Sequence, residues 1–115
     1  MVQIIKDEND LIVQLASAAD PKLVIIFFTN SQVPACKEVA PIAEKLSVEF
    51  ESEVVILAVD AAKSDEEGTE NVGVKWGVEG VPTFAFVKDH QIVEKVTGDV
   101  DTIEAGVRDT IAKLL

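Results

Sequence analysis

The chemistry that this chain could support centres on Cys36, the single cysteine among its 115 residues. Pro34 stands two residues earlier, and the fixed φ and missing N–H of proline suit the first position of a helix. If a helix begins at Pro34, Cys36 lies in its first turn, among unpaired backbone N–H groups at the positive end of the helix dipole. The spacing therefore predicts a lone thiol at a helix N-terminus, next to the positive charge of Lys37.

Two apolar runs flank this helix and must position it. Residues 23–28 (LVIIFF) and 54–59 (VVILAV) are rich in β-branched and aromatic types, which predicts strands buried on both faces. The segment 34–50 between them has the apolar spacing of an amphipathic helix, but Pro41 lies inside it, and the spacing alone would predict a break there. Its apolar side comprises Val39, Ile42, Ala43, Leu46 and Phe50. A strand, a helix and a strand in this order predict a right-handed βαβ unit.

The rest of the chain predicts shorter elements on either side of that unit. They are a strand at 2–5, a helix that follows Asp7, a partly helical connection at 62–76, a hairpin of strands 83–87 and 91–96, and a closing helix that begins at a capping box, Asp101–Glu104. We expect one α/β domain over residues 1–115, with a central mixed β-sheet flanked by helices on both faces.

Residues 32–37, QVPACK, resemble the active-site segment Trp-Cys-Gly-Pro-Cys-Lys of thioredoxins. Cys36 matches the second cysteine of that family. Pro41 matches its helix proline, which implies that the helix from Pro34 continues through Pro41 to about Phe50. Val33 stands in the place of the first cysteine, and Gln32 in the place of the tryptophan. The chain is therefore identified by resemblance as thioredoxin-like, with the departures on the residues that carry the chemistry.

Two later segments extend the resemblance. Residues 75–84, KWGVEGVPTF, resemble the family's segment that carries a cis-proline beside the cysteines, and 96–98, VTG, matches the glycine before its last helix. The resemblance implies a thioredoxin-like fold with Cys36 as the catalytic residue. It implies a client-binding groove made of Gln32, Val33, Pro34, Ala35, Val81, Pro82 and Gly98. A cis peptide at Val81–Pro82 would leave backbone groups of Val81 free to pair with an extended client.

The departures restrict what this thiol can do. A dithiol reductase attacks its substrate with one sulfur and releases the product with a second. With valine at position 33, that intramolecular release is closed to a monomer of this chain. The family also places a buried acidic residue at the position of Phe27, which accepts the proton of the matching cysteine, and bacterial members add a lysine near Ile56. Because both positions are apolar here, we expect Cys36 to lack that proton acceptor.

Two functions stay open at this point. In the first, the protein is linked to cell redox homeostasis and uses Cys36 as a single thiol, which forms mixed disulfides with a client protein or with glutathione. Dithiol reductase activity would then be weak or absent, so whether the protein is an enzyme is uncertain. In the second, it is a redox-silent peptide-binding module that uses the Pro82 groove, and Cys36 is a small buried core residue. The thioredoxin-like domain of multidomain monothiol glutaredoxins shows a related pattern.

The composition of the chain limits the classes of partner that it could bind. A net charge of −11 repels nucleic acid and anionic membrane surfaces, so we expect neither as a partner. His90, the single histidine, falls in the predicted hairpin turn, and Trp76 suits packing at a helix end. One cysteine and one histidine provide no zinc ligand set, and we expect no metal and no organic cofactor. The segment 1–8 has no signal-peptide pattern, and we expect a cytoplasmic protein.

Overall fold

The structure is a computed structural model, and it describes residues 2–5, 8–17, 23–30, 33–60, 82–88 and 91–115. Its elements are β1 (Gln3–Ile5), α1 (Glu8–Ser17), β2 (Leu23–Thr29), α2 (Pro34–Glu49), β3 (Val54–Asp60), β4 (Thr83–Lys88), β5 (Gln91–Thr97) and α3 (Ile103–Leu114). The predicted connection at 62–76 lies outside the described residues, as do Asp7, Gln32, Trp76, Val81 and His90.

The five described strands form one mixed sheet in the order β1-β3-β2-β4-β5. β1, β3 and β2 run parallel, whereas β4 is antiparallel to β2 and β5 is antiparallel to β4. The predicted mixed sheet with its βαβ unit is confirmed. β2 lies between two neighbouring strands, and every side chain from Leu23 to Phe28 is buried. A strand covered on both faces needs no polar alternation, which explains its uninterrupted apolar sequence.

Each face of the sheet carries its own hydrophobic core. On one face, α2 and α3 bury Val39, Leu46 and Val107 against the odd-numbered residues of β2. On the opposite face, α1 buries Leu11 and Leu15 against the even-numbered residues of β2. Helices therefore cover both faces, as the sequence predicts, and α2 is held over the sheet by the apolar side that its spacing indicates.

Helix α2 continues through Pro41, which lies inside it. Proline removes one hydrogen bond of the helix ladder, and burial of the apolar side offsets that loss. Val39, Ala43 and Leu46 are buried to 1% exposure or less. The helix predicted from residue 34 to about 50 is thus confirmed, and its first turn is fixed in space by the packing of its later turns.

The sequence predicts that a capping box at Asp101–Glu104 begins α3, and this prediction is wrong. The N-cap position is Thr102, and no side-chain cap hydrogen bond is made there. Instead, the Asp99 carboxylate accepts hydrogen bonds from the backbone N–H groups of Asp101 and Thr102, at 3.1 and 3.2 Å, and from the Thr102 hydroxyl, at 3.1 Å. Asp99 lies directly after Gly98, so the turn before α3 is organised from the end of β5.

Four charged residues, Lys45, Glu49, Glu104 and Arg108, form an interhelical ion cluster between α2 and α3. Arg108 donates to both carboxylate oxygens of Glu49, at 2.5 and 2.7 Å, and to Glu104 at 2.9 Å. Lys45 donates to Glu104 at 3.0 Å. The hydrogen bond from Arg108 lowers the pKa of Glu49, and those from Lys45 and then Arg108 lower the pKa of Glu104. The cluster joins the two helices at their solvent-facing side.

α3 approaches β5 closely at Gly106. A Cβ atom at this position would lie 2.9 Å from a methyl carbon of Val96, so a side chain there would force the helix and the strand apart. Glycine at this position lets α3 lie against β5. No helix among the described residues is long and apolar enough to cross a membrane.

Candidate functional site at one end of the sheet

The ends of three strands define the candidate site. In the pairing of β2 with β4, Phe28 lies opposite Thr83, and in the pairing of β4 with β5, Thr83 lies opposite Thr97. The last residues of β2, the first residues of β4 and the last residues of β5 therefore share one end of the sheet. Pro82 precedes β4 there, Gly98 follows β5, and α2 begins just beyond β2. The register brings the predicted site segments to the same end of the sheet.

A tight backbone turn joins β2 to α2. The Val33 N–H donates to the Asn30 carbonyl at 2.9 Å, and the Val33 carbonyl accepts from the N–H groups of Cys36 and Lys37 at 3.0 and 3.3 Å. Val33 is the N-cap residue in an extended conformation, and its side chain makes no cap hydrogen bond. Pro34 occupies the start of the helix, as predicted. The position of Cys36 is thus fixed by backbone contacts of Val33.

Cys36 is a free thiol and is buried, with 1% of its surface exposed. Around it, Val33 and Ala35 are partly buried, and Pro34 and Lys37 are exposed. The Cys36 sulfur can attack a disulfide only if one sulfur of that disulfide can come into direct contact with it. In this conformation, therefore, the thiol is not accessible to a reagent in solution.

The two positions that could hold ionisable partners for the thiol are part of the apolar core. Phe27 is 2% exposed, and its ring stacks on that of Phe84 with centroids 4.6 Å apart. Ile56 is fully buried in the same cluster. Among the described residues, the buried polar side chains are those of Ser47 and Thr83, and neither is an acid or an amine. Among the buried side chains that the structure describes, none is a carboxylate that could accept a proton from Cys36.

The other side of the site is built around Pro82. Pro82 is buried, and its carbonyl accepts a hydrogen bond from the Thr97 hydroxyl at 2.9 Å. Gly98, directly after Thr97, has φ +155° and is exposed. A Cβ atom on Gly98 would lie 3.0 Å from the Thr102 hydroxyl oxygen. Gln32 and Val81 lie outside the described residues, so the cis peptide at Val81–Pro82 and the free backbone groups of Val81 stay predictions.

Thr97 is the residue at this site that the sequence reasoning missed. The hairpin register offers a signal for it, because Thr83, the first residue of β4, lies opposite Thr97, the last residue of β5, and this places the Thr97 hydroxyl near Pro82, which precedes β4. Metal chemistry finds no support within the described ranges, where no group of three or more His, Cys, Asp or Glu side chains could hold an ion.

Three features define a protein of the thioredoxin fold with one thiol. The sheet is mixed and has five described strands, and a helix with a cysteine in its first turn begins just beyond the central strand. A proline directly precedes the adjacent antiparallel strand. The Thioredoxin family profile matches residues 3–111. The chain belongs to the thioredoxin family.

Relatives and solved structures agree with this assignment. The chain is 39% identical to Thioredoxin H4 of Arabidopsis thaliana over 87 residues, which are 75% of this chain and 69% of that protein. It is 36% identical to Thioredoxin-T of Drosophila melanogaster over 98 residues, which are 85% of this chain and 59% of that protein. The Fasciola hepatica thioredoxin superposes with a TM-score of 0.81 at 27% identity, over 97% of this chain and 98% of that one. The D. melanogaster germline thioredoxin Deadhead superposes with a TM-score of 0.80 at 24% identity over both whole chains, which shows the shared fold.

Proposed function

We propose that this thioredoxin-like protein takes part in cell redox homeostasis through a single thiol, that of Cys36, and has weak or absent dithiol–disulfide reductase activity. The client is a protein segment in extended conformation, held at the sheet end between the first turn of α2 and the Pro82–Gly98 side. The observation that carries this proposal is the position of the one cysteine. Cys36 is a free thiol in the first turn of α2, and Val33 stands where the family has its other cysteine.

The proposed step is one thiol–disulfide exchange. The Cys36 sulfur, after loss of its proton to solvent, attacks one sulfur of a client disulfide or of glutathione disulfide. A mixed disulfide forms at Cys36, the S–S bond of the partner breaks, and the other partner sulfur leaves as a thiolate. The mixed disulfide at Cys36 then persists until a thiol from a second molecule, such as glutathione, attacks it. Turnover therefore depends on an external thiol.

Burial sets the expected rate of this step. At 1% exposure, Cys36 is protected in the closed state, and the absence of an ionisable group at positions 27 and 56 leaves no internal proton acceptor there. We expect exchange to be slow in the native protein and fast once the chain is unfolded. A client held across the site has a longer time in which to meet the opened thiol than a small reagent in solution.

The test combines a reductase assay with mass spectrometry. Reduction of insulin disulfides by dithiothreitol is followed with and without the protein, with Val33→Cys as the positive control, and wild type is expected to add little to the uncatalysed rate. The intact mass after incubation with glutathione disulfide is expected to show a slowly formed glutathione adduct. Cys36→Ser controls for adducts elsewhere, and a sample in urea reports the rate for the unfolded chain. Catalytic reduction by wild type would contradict the proposal.

The burial of Cys36 also favours a second candidate function. In it, the protein is a redox-silent binding module that holds an extended client segment at the Pro82–Gly98 side, and the thiol only fills space in the core. The two functions differ in one result. If native protein forms no adduct and Cys36→Ala leaves client binding unchanged, the binding module is the correct function. A cytoplasmic location, and the exclusion of nucleic acid and membranes as partners on grounds of charge, stay predictions.

A further inference from the structure

The Thr97 hydroxyl fixes the backbone on one side of the candidate site. Its oxygen lies 2.9 Å from the carbonyl oxygen of Pro82, in a partly buried hydrogen bond that spans the hairpin. Thr97 is the last residue of β5 and pairs with Thr83, the first residue of β4. The contact therefore lies where the two-stranded ladder ends, at the point where both strands leave the sheet.

This contact joins the two segments that would hold a client. Pro82 is the residue directly after the predicted cis peptide, and Gly98 directly follows Thr97 with φ +155°. The turn continues into Asp99, whose carboxylate holds the start of α3. Rotation of the Pro82 carbonyl would change the direction of the backbone on its N-terminal side, where an extended segment would pair. The hydroxyl thus sets the orientation of one segment relative to the other.

Threonine is suited to this position for two separate reasons. Its β-branched shape fits a strand, and its hydroxyl supplies the donor for a partly buried carbonyl. Valine has nearly the same shape without the donor, and serine keeps the donor with less bulk. The two substitutions therefore separate the hydrogen bond from the packing of the side chain.

We propose that Thr97 is a positioning residue for client binding, acting through its hydrogen bond to Pro82 and not by touching the client's sulfur. The inference rests on the proposed binding of an extended segment at this end of the sheet. An orphaned carbonyl would settle in other orientations, and the paired segments would then be less well matched to a strand-like partner.

The experiment compares wild type with Thr97→Val, Thr97→Ser and Thr110→Val. Thr110 is the matched control, because its hydroxyl also donates to a partly buried carbonyl, that of Gly106 at 2.8 Å, but within α3. The probe is reduced insulin B chain with carbamidomethylated cysteines, an extended polypeptide that cannot exchange disulfides. Binding is followed by NMR titration at the backbone amides of Thr83 and Gly98, and thermal unfolding is recorded for every variant.

We expect Thr97→Val to weaken probe binding about fivefold to tenfold, which corresponds to the loss of one hydrogen bond. Thr97→Ser is expected to bind like wild type, and Thr110→Val to bind like wild type even where it unfolds at a lower temperature. Equal binding by Thr97→Val and wild type would overturn the positioning role and leave client binding intact. Equal weakening by Thr97→Val and Thr110→Val would assign the effect to general stability and overturn it as well. No binding by any protein, wild type included, would overturn the client-binding function itself.

Discussion

The substitution Val33→Cys tests whether position 33 is where the missing sulfur would act. The Cys36 N–H donates to the Val33 carbonyl at 3.0 Å, which closes a turn over residues 33–36. The ends of such a turn lie within about 7 Å of one another, and disulfides join Cα atoms that are roughly 4.4–6.8 Å apart. Val33 is partly buried, so the new sulfur would be easier to reach than that of Cys36. We expect the variant to form a 33–36 disulfide under mild oxidation.

The expected gain in stability follows from the size of the loop that the disulfide closes. For four residues, the chain-entropy relation gives a loss of about 6 cal/mol/K in the unfolded state, or about 1.9 kcal/mol at 25 °C. The oxidised variant should therefore exceed the reduced one by about this free energy of unfolding, a shift of about 6–10 °C in Tm. Loss of a methyl group at a partly buried site should cost the reduced variant at most about 1 kcal/mol relative to wild type.

Three measurements decide the outcome. A thiol titration of the unfolded, oxidised variant should find no free thiol, thermal unfolding with and without reductant should give the stated shift, and the insulin assay should show catalysis above wild type. Val33→Ser, which has no sulfur, is the matched control for the change in size and polarity. A folded variant that still carries two free thiols after mild oxidation would refute the reasoning, because residue 33 would then lie out of reach of Cys36.

Three further predictions concern the scaffold. Arg108→Gln should lower the free energy of unfolding near neutral pH. The difference from wild type should shrink as the pH falls below about 4.3, the ordinary pKa of glutamate, because the glutamates of the interhelical ion cluster have lowered pKa values only in the folded state. Urea unfolding from pH 3 to 8 measures this difference, and a difference that stays constant with pH would contradict the prediction. Gly98→Ala should lower the free energy of unfolding by about 1–3 kcal/mol, because φ is +155° and the new Cβ would lie 3.0 Å from the Thr102 hydroxyl oxygen. An unchanged urea midpoint would contradict this strain. Phe27→Ala should cost about 3–5 kcal/mol through loss of the stacked contact with Phe84, whereas a loss below about 1 kcal/mol would mean that the core closes around the gap.

The sequence alone determined the architecture, because its signals are local and strong. The apolar run at 23–28 and the helical spacing after Pro34 needed no tertiary information, and the structure confirms both elements. The absence of a second cysteine is likewise a property of the 115 residues of the sequence. Resemblance supplied what periodicity could not, above all that α2 continues through Pro41.

The tertiary structure decided the contacts that join distant segments. The sequence predicted Asp101 as part of a cap for α3, but the carboxylate that organises this turn belongs to Asp99, because the path of the chain after Gly98 sets which side chain reaches the helix start. The hydrogen bond from Thr97 to the Pro82 carbonyl depends on the strand register, which only the structure shows. The sequence left open whether Cys36 is reachable, and its 1% exposure follows from packing around the first turn of α2. Side-chain types and spacing fix the local elements, whereas exposure and hydrogen-bond partners depend on which elements meet in space.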